Sequence, residues 1–223
     1  MEIYRDVGDL FGQAHALNYL GDAQRMTGDY LAATEALDAA LSMYRRLGNR
    51  RGEANALNFL GTVRQLTGNY AAAAEALEEA LSIARDIGSR LGQANALGLL
   101  GIMRRTTGDY PQATNAIDAA LKIYRDLGDR GGEAEMLNEA GTLHRLGGEL
   151  DRAEANHQAA LNLARDIDSS WDEAHAIAGL GRCALSAGRI AAARQLLCQA
   201  QKIFQDIGAA EAADLGVELS ELC

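Results

Sequence analysis

The chain has 223 residues, 48% of them hydrophobic but only 5% aromatic, with a net charge of −10 and a pI near 4.9. Such an acidic balance argues against a phosphate-binding surface, so neither nucleic acid nor an anionic membrane is expected as a direct partner. No run approaches the roughly 18 apolar residues that a membrane-spanning helix needs, and the N-terminus lacks the basic-then-apolar signature of a secretory signal. Cys183, Cys198 and Cys223 are odd in number and not spaced as metal ligands, which points to a reduced, cytoplasmic protein with no bound metal.

In chain order, the first element is a short segment at 2–9, "EIYRDVGD", which matches "KIYRDLGD" at 122–129. The reason is a 40-residue period. "LNYLGDAQRMTGDY" at 17–30 returns as "LNFLGTVRQLTGNY" at 57–70 and "LGLLGIMRRTTGDY" at 97–110, then more loosely at 137–150 and 177–190. The expected units are 11–50, 51–90, 91–130, 131–170 and 171–210, all in one array spanning 1–223. Residues 1–10 read as the end of a truncated preceding repeat, and 211–223 as a closing helix. The chain is therefore expected to be a fragment of a longer protein, or else to have its N-terminal edge covered by another copy in a homo-oligomer.

Each unit predicts two helices. Asp9, Asn49, Ser89, Asp129 and Ser169 cap the first, because a short oxygen-bearing side chain accepts bonds from free N–H groups of the opening turn. Each first helix ends toward Gly28, Gly68, Gly108, Gly148 or Gly188, where a left-handed terminal residue carries no steric cost. Asp29, Asn69 and Asp109 cap second helices, and Pro111 is tolerated in the opening turn of its helix. Within the second helix, Ala33, Leu37, Ala40, Leu41 and Tyr44 have the spacing of one buried face. Gly48, Gly88, Gly128 and Gly208 end four of these helices.

Gly21, Gly61, Gly101, Gly141 and Gly181 fall inside first helices, where each costs about 1 kcal/mol relative to alanine and so needs a packing reason. The expected one is close approach to second-helix alanines, such as Ala33 and Ala40 in the first unit. A single pair cannot bury both of its apolar faces, so the copies must stack.

This pattern resembles the tetratricopeptide repeat family. The residues that carry the resemblance are Leu-Gly at 20–21, 60–61, 100–101 and 180–181, "TGDY" at 27–30 and 107–110, and the second-helix alanines. The period of 40 exceeds the family's usual ~34 and is similar to the longer repeats of polarity adaptors, kinesin light chains and bacterial regulator arrays. The resemblance implies an all-α, right-handed superhelical solenoid of antiparallel helix pairs. Repeat 131–170 departs most, with Ala140, Leu150, His157 and Asp168 at fixed positions. His157 reads either as a functional histidine or as a tolerated substitution on a loosened helix, the second being favoured.

The resemblance also implies a ligand groove lined by first helices. Its variable positions hold Asn18, Asn58 and Asn138, then Tyr19, Phe59 and Leu99, with Asp22 and Thr62 a turn later, Arg25, Arg105 and Arg145 beyond, and Asn55 and Asn95 a turn earlier. The asparagines suit a peptide backbone because a carboxamide both donates and accepts, though a neighbouring helix end would suit them too. Tyr19, Phe59 and Leu99 form an apolar track or pack against the next repeat. The arginines suit carboxylates, or alternatively the helix dipole.

The expected partner is thus a peptide or protein with apolar and acidic residues. A carboxylate clamp of the chaperone type is not expected, since Lys122 and Lys202 are the only lysines. There is no phosphate-binding "GxxxxGK" loop or "HExxH" helix, and no enzyme activity or cofactor is expected. The function expected is a non-catalytic binding scaffold, as the interaction or sensor module of a larger bacterial signalling or transcriptional regulator. Self-association through the array's ends is the alternative.

Overall fold

The structure, a computed structural model, describes residues 9–222. The segment 2–8, assigned above to a preceding helix, and Cys223 lie outside the described residues. Eleven helices account for 85% helical content, and no strand occurs among the described residues. They are α1 (Leu10–Met26), α2 (Tyr30–Leu47), α3 (Arg50–Leu66), α4 (Tyr70–Asp86), α5 (Arg90–Thr106), α6 (Tyr110–Leu127), α7 (Arg130–Leu146), α8 (Leu150–Asp166), α9 (Ser170–Ser186), α10 (Ile190–Asp206) and α11 (Glu211–Ser220).

The described residues group into two compact units, divided between Ala120 and Leu121. In the first, α1 pairs with α2 and α3 with α4, while α3 also packs on α1 and α2, and α5 on α3 and α4. In the second, α7 pairs with α8 and α9 with α10; α9 also packs on α7 and α8, and α11 closes on α10.

The helix boundaries follow from the residues that cap them. Side chains of Asp9, Asn49, Ser89, Asp129 and Ser169 accept bonds from the backbone N–H of Gly12, Gly52, Gly92, Gly132 and Asp172. Asp29, Asn69 and Asp109 do the same for second helices. The expected terminal glycines are all left-handed, and so is one non-glycine, Asp168, at φ 54°. An aspartate tolerates that region better than most L-residues, at a cost glycine avoids.

The interior glycines differ from expectation in what they face. A methyl group at Gly21 would lie 2.5 Å from Cγ of Leu37, one at Gly61 2.6 Å from Leu77, and one at Gly101 2.5 Å from Ile117. In the second unit the intruding side chains are His157 at Gly141 and Leu197 at Gly181. The notch therefore receives a large side chain from the second helix, rather than an alanine. The alanines matter through their backbone, since the carbonyl oxygens of Ala33 and Ala113 stand 3.1 and 3.3 Å from the same two methyl positions at Gly21 and Gly101. Ala33, Leu37, Ala40, Leu41 and Tyr44 are all buried, as their spacing required.

A second recurring contact joins consecutive repeats. Arg45 donates from Nε to Glu53 at 3.0 Å, and Arg125 to Glu133 and Arg165 to Glu173 at 2.8 and 2.9 Å. Glu53 is nearly enclosed and is held from its other side by Arg50 at 2.7 Å. A carboxylate so placed depends on its arginines, because losing one partner of a buried pair leaves the other charge uncompensated.

Two outcomes test this packing. Gly61→Ala should destabilise the protein by roughly 1–3 kcal/mol through overpacking, read by denaturant titration, and trimming Leu77→Ala in that background should cost less than it does alone. Asp168→Gly should raise the thermal midpoint, because it removes strain of order 1 kcal/mol without touching a side-chain contact.

Candidate functional site

The positions left free by the repeat lie along the first helices. In the first unit Asn18 and Asn58 are buried, 3% and 7% exposed, and the carboxamide oxygen of each lacks a hydrogen-bond partner. A buried acceptor left unpaired costs about 1–3 kcal/mol, so both positions stand out energetically. Beside them Tyr19 is 58% exposed and packs edge-on against His15, centroids 4.6 Å apart, which in turn stacks near Phe11 at 6.1 Å. Phe59 and Leu99 are half-buried and pack against the core, so the apolar track serves packing as well as surface.

The polar positions are partly spoken for. Arg25 pairs with Asp22 at 2.8 Å, which neutralises both on the same turn. Thr62 donates its hydroxyl to the carbonyl of Asn58 at 3.1 Å, inside its own helix. Asn55 is exposed, while Asn95 and Arg105 are half-buried and both have interacting partners.

The second unit is built differently. Asn138 is committed to the protein itself: its Oδ1 is 3.2 Å from Nδ1 of His157, and its Nδ2 donates to the carbonyl of Asp172 at 3.5 Å. The bonding to a neighbouring helix left open by the sequence is thus realised at Asn138. Arg145 is half-buried nearby. Three further variable first-helix positions here are shaped by neighbours within the protein. His175 is enclosed by Trp171 and Phe204, with centroids 4.9 and 5.0 Å away, and burial lowers its pKa against the pull of Glu211, Asp172 and Glu139. Arg182 grips Glu218 through Nε and Nη2, pinning α9 to α11. Glu135 reaches solvent, yet the protein packed around it strips its hydration; this, then Glu139, Asp172 and Asp129, raises its carboxyl to about 7. Glu135 and Glu139 could have drawn notice as two acids one turn apart where other repeats carry asparagine or apolar residues.

Elsewhere the surface is charged. Glu35, Asp38, Glu75, Glu78, Glu79 and Asp118 are exposed on second helices, and Glu79 meets Arg45 at 2.7 Å. Among the described residues, no group of three or more His, Cys, Asp or Glu could hold a metal ion, and no helix is long and apolar enough to cross a membrane.

Tandem helix pairs with fixed packing residues and a variable first-helix face define a helical-repeat scaffold, a class that works by protein interaction and is typically non-catalytic. The "Tetratricopeptide repeat" family pattern matches residues 12–86, 52–126, 92–166 and 132–206, and the chain belongs to that family. No curated protein matches the sequence.

Solved structures share the fold at low identity. A Rap protein complexed with competence and sporulation factor superposes with a TM-score of 0.76 at 17% identity, over 99% of this chain and 66% of that one. A signal-transduction ATPase with a tetratricopeptide repeat sensor, from Pyrococcus horikoshii, gives 0.74 at 16%, over 91% of this chain and 31% of that one. BtubC from P. vanneervenii gives 0.73 at 20%, over 92% and 85%.

The raised carboxyl of Glu135 has a definite pH consequence. Its folded-state pKa of about 7 exceeds the unfolded value, so the folded chain holds the extra proton in that window. The stability linked to it is present below the ordinary carboxylate range and is lost as pH rises toward 7. Glu135→Gln should therefore stabilise the protein at pH ~8 and converge with the parent at pH ~4, as read by thermal melts across that range.

Proposed function

We propose that the first-helix face is a peptide- or protein-binding groove, and that the chain is the non-catalytic interaction or sensor module of a larger bacterial signalling or transcriptional regulator. The observation that carries this reading is the pair Asn18 and Asn58, buried with unpartnered carboxamide oxygens beside an exposed Tyr19. Rotation about the last torsion presents either the acceptor or the donor of each amide to the groove, and a ligand backbone N–H or C=O then completes it. Tyr19, Phe59 and Leu99 receive apolar side chains, with Asn55, Asn95 and Thr62 along the same face. Arg105 and Arg145 favour acidic residues; Arg25 contributes less, being paired with Asp22. The regulator context is supported by likeness to the signal-transduction ATPase with its tetratricopeptide repeat sensor, and the peptide context by likeness to the Rap protein complexed with its factor.

The test is a peptide-array screen followed by titration of the hits. Asn58→Ala should weaken binding by roughly 1 kcal/mol, the order of one hydrogen bond, and Arg105→Glu should weaken it further and flatten its salt dependence. Predominantly basic hits, or hits that bind both variants like the parent, would place the ligand elsewhere.

One observation favours a second reading, association through the N-terminal edge. Leu20 is 41% exposed, whereas Leu60 and Leu100 at the same repeat position are 0% and 1% exposed. Sedimentation velocity on Leu20→Glu against the parent decides it: a parent that is monomeric at high concentration sinks the idea.

A further inference from the structure

Two departures from the 40-residue pattern meet at one place in the second unit. His157 occupies the position of Leu37, Leu77, Ile117 and Leu197, so it is the side chain that enters the glycine notch of its repeat. Gly179 occupies the position of Tyr19, Phe59, Leu99 and Glu139, and lacks a side chain where those residues have one. The imidazole fills both vacancies at once: its Nε2 lies 2.7 Å from where a methyl at Gly141 would be, and the ring also abuts the methyl position at Gly179. It is 1% exposed. A ring from α8 thereby wedges between two successive first helices, α7 and α9.

Its proton is assigned by its neighbours. Asn138 spends its Nδ2 on the carbonyl of Asp172, which leaves Oδ1 toward the ring, so Nδ1 of His157 carries the hydrogen and donates. Nε2 then holds a bare lone pair, buried and without a partner. A second proton would place an N–H⁺ where no acceptor waits. The charges that face it are cationic, Arg145 on α7 and Arg182 on α9. Glu154, on the same helix as His157, is engaged by Arg189 of α10, and the buried thiol of Cys183 on α9 stays neutral because burial pushes its pKa up.

We propose that His157 is a proton-operated latch: neutral, it ties α7, α8 and α9 together through Asn138, and protonated it leaves its socket and loosens the second unit. The first unit, with leucine or isoleucine in the same notches, has no such latch. Burial, then Arg145 and Arg182, hold the histidine down to about 4 in the folded chain. An unfolded histidine titrates near 6.5, so between those values the open chain binds a proton that the closed one refuses. The closure that His157 contributes is strongest above pH ~6.5, weakens as pH falls, and levels off below pH ~4, while Glu135 on α7 titrates in the opposite sense. The proposal is independent of the peptide-binding reading.

Hydrogen exchange of the full chain, corrected for intrinsic rates, tests it at about pH 7 and pH 5. In the Glu135→Gln background, which removes the opposing proton uptake on α7, opening of α7 to α9 should increase more than ~10-fold on acidification, in keeping with the separation of the two histidine titrations, while α1 to α4 change much less. His157→Leu, which installs the residue found in other repeats, should abolish that increase. Should leucine disturb the neutral-pH fold, as circular dichroism would report, His157→Gln supplies the same comparison. An NMR titration in which His157 protonates near 6.5 overturns the latch, as does an acid response that persists in both variants.

Discussion

In each helix pair, a side chain from the second helix enters a gap that a glycine leaves in the first. Leu37 against Gly21, Leu77 against Gly61 and Ile117 against Gly101 make this contact in the first unit, and His157 against Gly141 and Leu197 against Gly181 in the second. Glycine is unfavourable inside a helix by about 1 kcal/mol, and a branched side chain buried in its place returns more than that, on the order of 1.5–3 kcal/mol. The exchange also sets how closely the two helices approach. Everything stacked on the pair inherits that spacing: Tyr44 and Tyr124, buried at second-helix ends, lie over Gly52 and Gly132 at the next first helix.

Because this packing is repeated, the ends of each repeat can be compared with one another. Arg–Glu contacts recur at 45–53, 125–133 and 165–173, joining the end of one pair to the start of the next. At 85–93 the acidic partner is replaced by Gln93, which instead reaches the carbonyl of Ala84 at 3.5 Å. A polar clasp at that point is thus kept even where charge is lost; the partly exposed 125–133 and 165–173 pairs are each worth under about 1 kcal/mol, whereas Glu53 is nearly enclosed.

The two units divide the chemistry between them. The first keeps Asn18 and Asn58 with unmet acceptors beside the exposed Tyr19. The second has turned the equivalent Asn138 inward onto His157, and carries Glu135 with a raised carboxyl and a His175 enclosed by aromatic rings.

The helices themselves were legible from residues alone. Capping side chains, left-handed glycines and apolar spacing are local signals, each read within a few positions, and the exact 40-residue recurrence repeated them five times. Even Asp168 could be placed, because a missing glycine leaves the same left-handed turn to be made. What the sequence could not supply was the partner of each special residue. The glycines were expected to face alanines, yet they face the leucine, isoleucine or histidine one turn along, since rotation about the helix axis decides which side chain reaches the notch. Asn18, Asn58 and Asn138 are the same letter at the same register, and only the fold separates two amides with unpartnered oxygens from one held by a histidine 19 residues away. His157 and Gly179 each looked like a lapse in the repeat; folding brings the ring of one into the space left by the other, because burial and shape complementarity are properties of neighbours in space.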